Sequence, residues 1–228
     1  MKLSIIIPCY NEVKTIENII NKVKKIKLIE NFKKEIVVVN DGSNDGTTNI
    51  LNQIENIILI NHQKNLGKGA AINNALKKCS GEIILIQDAD LEYNPNDYNI
   101  LLEPFNNTNI KVVYGSRNLK KNSYAFFSFY IGGIILTKIL NILYPKANLT
   151  DMHTCYKVFR KEIFNLIFLN SSGFEFCPEV TCKILKHNIK IYEVPISYYP
   201  RNILEGKKIK WKDGLIALVT ILNIKIFY

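Results

Sequence analysis

Short apolar runs alternating with amphipathic stretches organise the first half of the chain. Leu3–Ile7 is a mostly apolar run halted at Pro8. The spacing of Ile16, Ile19, Ile20, Val23 and Ile26 at three and four predicts a helix over Thr15–Ile29. Ile36–Val39 predicts a second strand, ended by the turn-forming Asp41-Gly42-Ser43-Asn44-Asp45-Gly46. Helices are expected at Thr47–Ile54 and Lys68–Lys78, and strands at Ile57–Ile60, Ile83–Ile86 and Val112–Tyr114. β-Branched runs apolar on both faces, alternating with helices, predict an α/β fold with a mostly parallel central sheet flanked by helices.

In such sheets ligands bind beyond the carboxyl ends of the strands, so the residues just after each strand carry the information. They are Pro8, Tyr10, Asn11 and Glu12; Asn40 and Asp41; Asp88, Ala89, Asp90 and Glu92; and Gly115, Ser116 and Arg117. Carboxylates from three strand ends meet on one rim and repel each other unless a cation or hydrogen-bond donors stand between them. Asp88-Ala89-Asp90 is the sharpest feature. Residues two apart in an extended segment point the same way, and paired hard oxygens suit Mg²⁺ or Mn²⁺. As an isolated surface turn the same tripeptide carries no chemistry; its place after an apolar strand gives it weight.

The second half changes character. Tyr124–Tyr144 is long, apolar and aromatic, and its 21 positions would roughly span a bilayer at about 1.5 Å each. Lys138 and Gly132-Gly133 argue against simple insertion. The expected element is an amphipathic helix on a membrane surface or in an acceptor groove, with a core helix and a true span as the other readings. Leu215–Tyr228 is expected to be a surface or core helix. No linker separates the halves, so residues 1–228 read as a single domain, with a ligand-binding half at 1–122 and a second half at 123–228.

Composition narrows the partner. Thirty Lys+Arg against twenty Asp+Glu give a net charge of +10 across 228 residues. That surplus fits an anionic partner such as nucleic acid, anionic lipid or a phosphorylated small molecule, although over-use of Lys, Asn and Ile would also produce it. No nucleic-acid recognition module is present, so nucleic acid is not an expected partner. Cys9, Cys79, Cys155, Cys177 and Cys182 are odd in number and lack metal-ligand spacing, which predicts reduced thiols in a cytosolic chain. The apolar run near Met1 is too short for a secretory signal. His62 and His187 are expected at the surface, and His153 is a candidate for lining an acceptor side. Trp211, between Lys210 and Lys212, is a candidate interfacial anchor, with packing as the equal alternative.

Five segments together resemble family 2 glycosyltransferases: Ile5-Ile6-Ile7-Pro8-Cys9-Tyr10-Asn11-Glu12, Val37-Val38-Val39-Asn40-Asp41-Gly42-Ser43, Asn65-Leu66-Gly67-Lys68-Gly69, Asp88-Ala89-Asp90 and Gly115-Ser116-Arg117. Downstream, Asp151 to Arg160, Gly173-Phe174-Glu175-Phe176, and Pro200-Arg201 with Glu205-Gly206-Lys207-Lys208 are similar to the dolichyl-phosphate mannose and glucose synthase branch. The resemblance implies a GT-A-type nucleotide-sugar transferase fold and inverting transfer of a hexose from a UDP-glucose or GDP-mannose type donor to a polyprenyl phosphate.

It also implies roles. Pro8, Tyr10 and Glu12 would shape the nucleotide pocket, and Val39 and Asp41 would bound and contact the base. Asp88 and Asp90, with Ala89 between them, would hold Mg²⁺ or Mn²⁺ at the diphosphate, with Glu92 a third metal ligand. Arg117 and Arg201 would clamp phosphates, and Lys207 and Lys208 would close over the donor or meet an acceptor phosphate. Two departures stand out: Asn40 and Cys177 occupy positions where relatives often carry Asp. A hydroxyl acceptor would need a carboxylate base, Glu175 or Glu179, whereas a lipid phosphate is already an anion. A sugar-nucleotide-binding scaffold without turnover is the non-enzymatic alternative. A polyprenyl acceptor would put the chain peripherally on the cytoplasmic face of a membrane; homo-oligomerisation is left open.

Overall fold

The computed structural model describes residues 1–228 except 30, 31, 125, 202–205, 207 and 209. Its sheet contains β1 (Lys2–Cys9), β2 (Lys33–Asn40), β3 (Ile58–Asn61), β4 (Ile83–Ile86), β5 (Val112–Ser116), β6 (Lys157–Arg160) and β7 (Ile191–Pro195). Their spatial order is β3-β2-β1-β4-β6-β5-β7. All neighbours pair in parallel except β6, which runs antiparallel to both β4 and β5. The sheet therefore crosses the boundary between the two expected halves, since β6 and β7 come from the second.

Among the described residues seven α-helices surround it: α1 (Ile16–Lys25), α2 (Thr47–Leu51), α3 (Lys68–Leu76), α4 (Tyr98–Leu102), α5 (Phe127–Leu143), α6 (Phe176–Lys186) and α7 (Trp211–Phe227). The predicted periodicity is realised in α1, which buries Ile16, Ile19, Ile20 and Val23. It stops at Lys25 rather than Ile29, because Lys34 of β2 donates to the carbonyls of Val23, Lys24 and Ile26 at 2.6–2.8 Å and so satisfies the helix end. The central strands β1 and β4 are apolar on both sides because both faces are covered: Ile5, Ile6 and Ile7 and all four residues of β4 are buried.

The order of strands fixes where a ligand can sit. From β1 the chain winds outward to β2 and β3 on one side and later to β4 on the other, so a crevice opens at the carboxyl ends of β1 and β4. Because β6 is antiparallel, its amino end meets that same rim.

Helices α5 and α7 pack against each other, and α7 also packs on α6. Only Thr137 and Leu140 of α5, and Ala217, Ile221 and Ile224 of α7, are buried. Phe127, Ile135, Ile142, Leu215, Ile216, Val219, Ile226 and Phe227 are exposed. Within the Tyr124–Tyr144 stretch, α5 is thus a half-uncovered helix rather than a core helix. Among the described residues no helix is long and apolar enough to cross a membrane.

Candidate active site

A cavity of about 700 Å³ lies along the carboxyl rim. β1 delivers Pro8, Tyr10 and Glu12 to it, β2 delivers Asp41, β4 delivers Asp88, Ala89, Asp90 and Glu92, and β5 delivers Arg117. The segment before β6 adds Asp151, His153 and Cys155, and the segment after β7 adds Tyr198 and Arg201. The same cavity continues to Phe129, Gly132 and Gly133 of α5 and to Trp211, Gly214 and Ala217 of α7.

The segment entering Asp88 is fixed from behind. Gln87 is fully buried, and its Oε1 accepts from the hydroxyls of Tyr98 and Tyr156, each at 2.8 Å. Asp88 then takes Lys68 at 2.5 Å. Burial alone would raise the Asp88 carboxyl, but the Lys68 ammonium overrides it and holds it below the usual range. Asp90 behaves oppositely. Burial, reinforced by the negative charges of Asp88 and Glu92, pushes its carboxyl up to about 7 despite Arg201 at 3.0 Å. The following residue, Leu91, sits at φ +66, a left-handed conformation that costs a bulky side chain energy and recurs at functional sites.

Arg201 also pairs with Glu12 at 3.1 Å, and Lys208 reaches both Glu12, at 2.7 Å, and the Tyr10 carbonyl. Arg117 is forked onto Asp151 through two bonds of 2.7 and 2.8 Å and lies 5.0 Å over the Tyr198 ring. This geometry fixes the guanidinium at the cavity wall.

Several expected residues stand elsewhere or do something else. Val39 is fully buried inside β2 and does not line the cavity. The Asp41 carboxylate accepts from the backbone of Leu66 and Gly67 at 2.8 Å and from His62 at 2.7 Å, so it shapes the 64–67 loop. His62, expected at the surface, has a side chain only 6% exposed because Asp41 and Asn74 hold its two ring nitrogens. Glu92 accepts the Tyr198 hydroxyl and the Arg201 N–H at 2.7 Å. Among the described residues no three His, Cys, Asp or Glu side chains form a ligand set, and Glu92, expected as a third ligand beside Asp88 and Asp90, is engaged by the chain after β7.

Glu179 does not line the cavity either. It is buried, accepts from Asn170 and Ser171 N–H, and pairs with Lys183 at 2.8 Å. Those donors hold its carboxyl below the usual range against the effect of burial, the wrong direction for a base near neutral pH. Glu175 likewise accepts from Ser172 and Gly173 N–H. Lys207 lies outside the described residues. The departure at Asn40 is accounted for internally: its amide donates to Thr48 and Asn61, which a carboxylate could not do.

Lys68, Asp151 and Tyr198 were not given roles by the sequence. Lys68 and Asp151 lie inside resembling segments, which was the available signal; the pairing partners were not legible. The motif glycine Gly67 is needed for space and conformation: its φ is +95, and a Cβ there would land on the Ser172 carbonyl oxygen.

Known proteins resemble the chain in sequence and in fold. The Glycosyl transferase family 2 profile matches residues 4–168. Dolichyl-phosphate beta-glucosyltransferase ALG5A of Trichomonas vaginalis is 30% identical over 99% of the chain and 73% of its own length. A dolichol-phosphate mannosyltransferase of Pyrococcus furiosus is 29% identical over 91% of the chain and 59% of its own length. Among solved structures, glucosyl-3-phosphoglycerate synthase of Mycobacterium tuberculosis, crystallised with Mn²⁺ and UDP, superposes with a TM-score of 0.75 at 18% identity, covering 98% of this chain and 79% of that one. A GT-A-like fold, a profile match over residues 4–168 and a relative 30% identical over 99% of the chain place the chain in glycosyl transferase family 2, as a glycosyltransferase.

Proposed function

We propose that the chain transfers a hexose from a nucleoside-diphosphate sugar to a polyprenyl phosphate. The observation that carries this reading is the continuity of one cavity from the Asp88/Asp90 carboxylates, past Arg117, to the apolar helices α5 and α7. An acceptor with an anionic head and a hydrocarbon chain matches both ends. The relatives named for dolichyl phosphate support the same acceptor class.

The residues fit a divalent cation. Asp88 and Asp90 are hard oxygen donors, and the crowding that lifts Asp90 to about 7 marks an excess of buried negative charge that a cation would relieve. Mg²⁺ or Mn²⁺ held there would neutralise charge on the departing nucleoside diphosphate. Around it, Arg201 would turn from Asp90 and Glu12 toward phosphate oxygens, while Glu12 and Tyr10 face the nucleoside. Arg117, held in orientation by Asp151, would face the acceptor phosphate. The acidic residues lining the cavity are already engaged: Glu12, Asp88, Asp90 and Asp151 by cations, Asp41 by His62 and backbone N–H groups, Glu92 by Tyr198 and Asp213 by the Lys210 N–H. A phosphate acceptor needs none of them as a base.

The exposed apolar faces of α5 and α7, next to Lys210, Lys212 and Lys225, support peripheral binding to an anionic membrane surface on the cytoplasmic side. Calorimetry with UDP-glucose and GDP-mannose, each with and without Mn²⁺, tests the reading on wild type and Asp90→Ala. Metal-dependent binding of one donor, lost in the variant, followed by transfer to a short polyprenyl phosphate, is the expected result. Binding of neither donor would refute it.

A further inference from the structure

The cavity wall ahead of β6 contains a buried polar atom with no partner. Side chains alternate there: Asp151, His153 and Cys155 face the cavity, whereas Met152, Thr154 and Tyr156 are fully buried. At one end of the row Asp151 grips Arg117. At the other, Cys155 Sγ lies 3.5 Å from Lys68, the partner of Asp88. His153 stands between them in the chain, and its Nε2 is buried without a hydrogen-bond partner. Buried polar atoms in folded proteins are almost always paired, and an orphan has a free-energy cost. The unpaired hydroxyls of Tyr144 and Thr154 belong to residues that do not line the cavity.

The chemistry of the ring narrows what would fill that gap. Burial first, then the positive charges of Lys157 and Arg117, push the imidazole down to about 4 against the pull of Asp151. At neutral pH the ring is uncharged, with one N–H and one lone pair. Such a group matches a hydroxyl, which both donates and accepts. It is a weaker partner for phosphate than the neighbouring guanidinium, and too weak a base to take a proton at pH 7. In the reading proposed above, on which this inference rests, the neutral hydroxyl-bearing part of the substrates is the hexose. It must lie between the diphosphate near Asp88/Asp90 and the acceptor near Arg117. We propose that His153 Nε2 hydrogen-bonds a hydroxyl of the transferred hexose, so that this residue reads the sugar and not the nucleotide.

The test compares bare nucleoside diphosphate with its hexose conjugate by calorimetry in Mg²⁺, using whichever base the wild type binds. His153→Ala weakens binding of the sugar nucleotide about three- to tenfold, the worth of one neutral hydrogen bond, and leaves the bare diphosphate within twofold. His153→Gln, which restores a donor and an acceptor, recovers most of the loss. In wild type, the chain's three histidines give a simple imidazole ¹⁵N spectrum, in which the His153 Nε2 signal shifts with the sugar nucleotide and stays put with the diphosphate alone. Equal losses for both ligands, unchanged affinities for both, or a signal that moves only with polyprenyl phosphate would overturn the assignment. Wild type that binds no sugar nucleotide would instead overturn the functional reading on which it rests.

Discussion

Replacing Glu179 by glutamine separates a structural carboxylate from a catalytic one. In the folded chain its two oxygens take Asn170 N–H at 2.8 Å, Ser171 N–H at 2.9 Å and the Lys183 ammonium at 2.8 Å. The two charged side chains are 4% and 3% exposed, so the variant leaves a buried ammonium facing a neutral amide. Removing one partner of a buried ion pair costs about 3–5 kcal/mol. Lys183 keeps the Phe168 carbonyl and the Tyr228 ring, and glutamine keeps one acceptor, which points to the lower end, about 3 kcal/mol. For a chain of this size 1 kcal/mol moves the unfolding midpoint by about 2–4 °C, so thermal unfolding followed by circular dichroism should fall by about 6–12 °C. Turnover measured well below that transition should stay within about threefold of wild type. A variant that unfolds at the wild-type temperature but loses about 10²–10⁴ in turnover, the range for a general base, would refute the structural role and revive a hydroxyl acceptor.

Three further outcomes are expected. A carboxyl raised from 3.8 to about 7 keeps its proton in the folded chain between roughly pH 4 and 7, where the unfolded chain has released it, so Asp90 makes stability fall as pH rises through that window. In chelator, Asp90→Asn should therefore unfold at a higher temperature than wild type at pH 8 and at an equal one near pH 4, while losing metal-dependent donor binding; lower stability at pH 8 would contradict the charge crowding. Gly67→Ala should lose about 2 kcal/mol or more in urea denaturation, because it meets both an unfavourable φ and the Ser172 carbonyl; a neutral effect would show that the 171–173 segment yields. Trp211 is the only tryptophan and is 68% exposed, so its emission should shift blue with anionic vesicles and less with neutral ones; no shift with either would remove this end of α7 from any membrane contact.

Local pattern alone determined β1 to β5, the positions of α1 to α3, the helical character of α5 and α7, and the rim residues Asp41, Asp88, Asp90 and Arg117. Apolar periodicity is a property of neighbours in the chain, and parallel strands place the residues that follow them at the ligand edge. The resembling segments added Arg201 by the same means. Tertiary structure decided the rest. The end of α1 is set by Lys34 from another strand, and the burial of His62 by Asp41 and Asn74. Glu179 looked like a candidate base because a buried carboxylate next to a motif reads the same whether it faces a substrate or three protein donors. β6 escaped notice because, unlike the equally short β3 and β4, it holds only Val158 and Phe159 between Lys157 and Arg160 and so offers no apolar run. Its antiparallel direction also inverts the rule: the residues that reach the rim precede the strand, so Asp151 and His153 enter the site from the side that reading strand ends does not inspect. Which cation meets which carboxylate, Lys68 on Asp88 and Arg201 on Asp90, follows from contacts 20 and 111 residues apart. Local spacing carries no information about such pairs, because only the folded sheet brings those segments together.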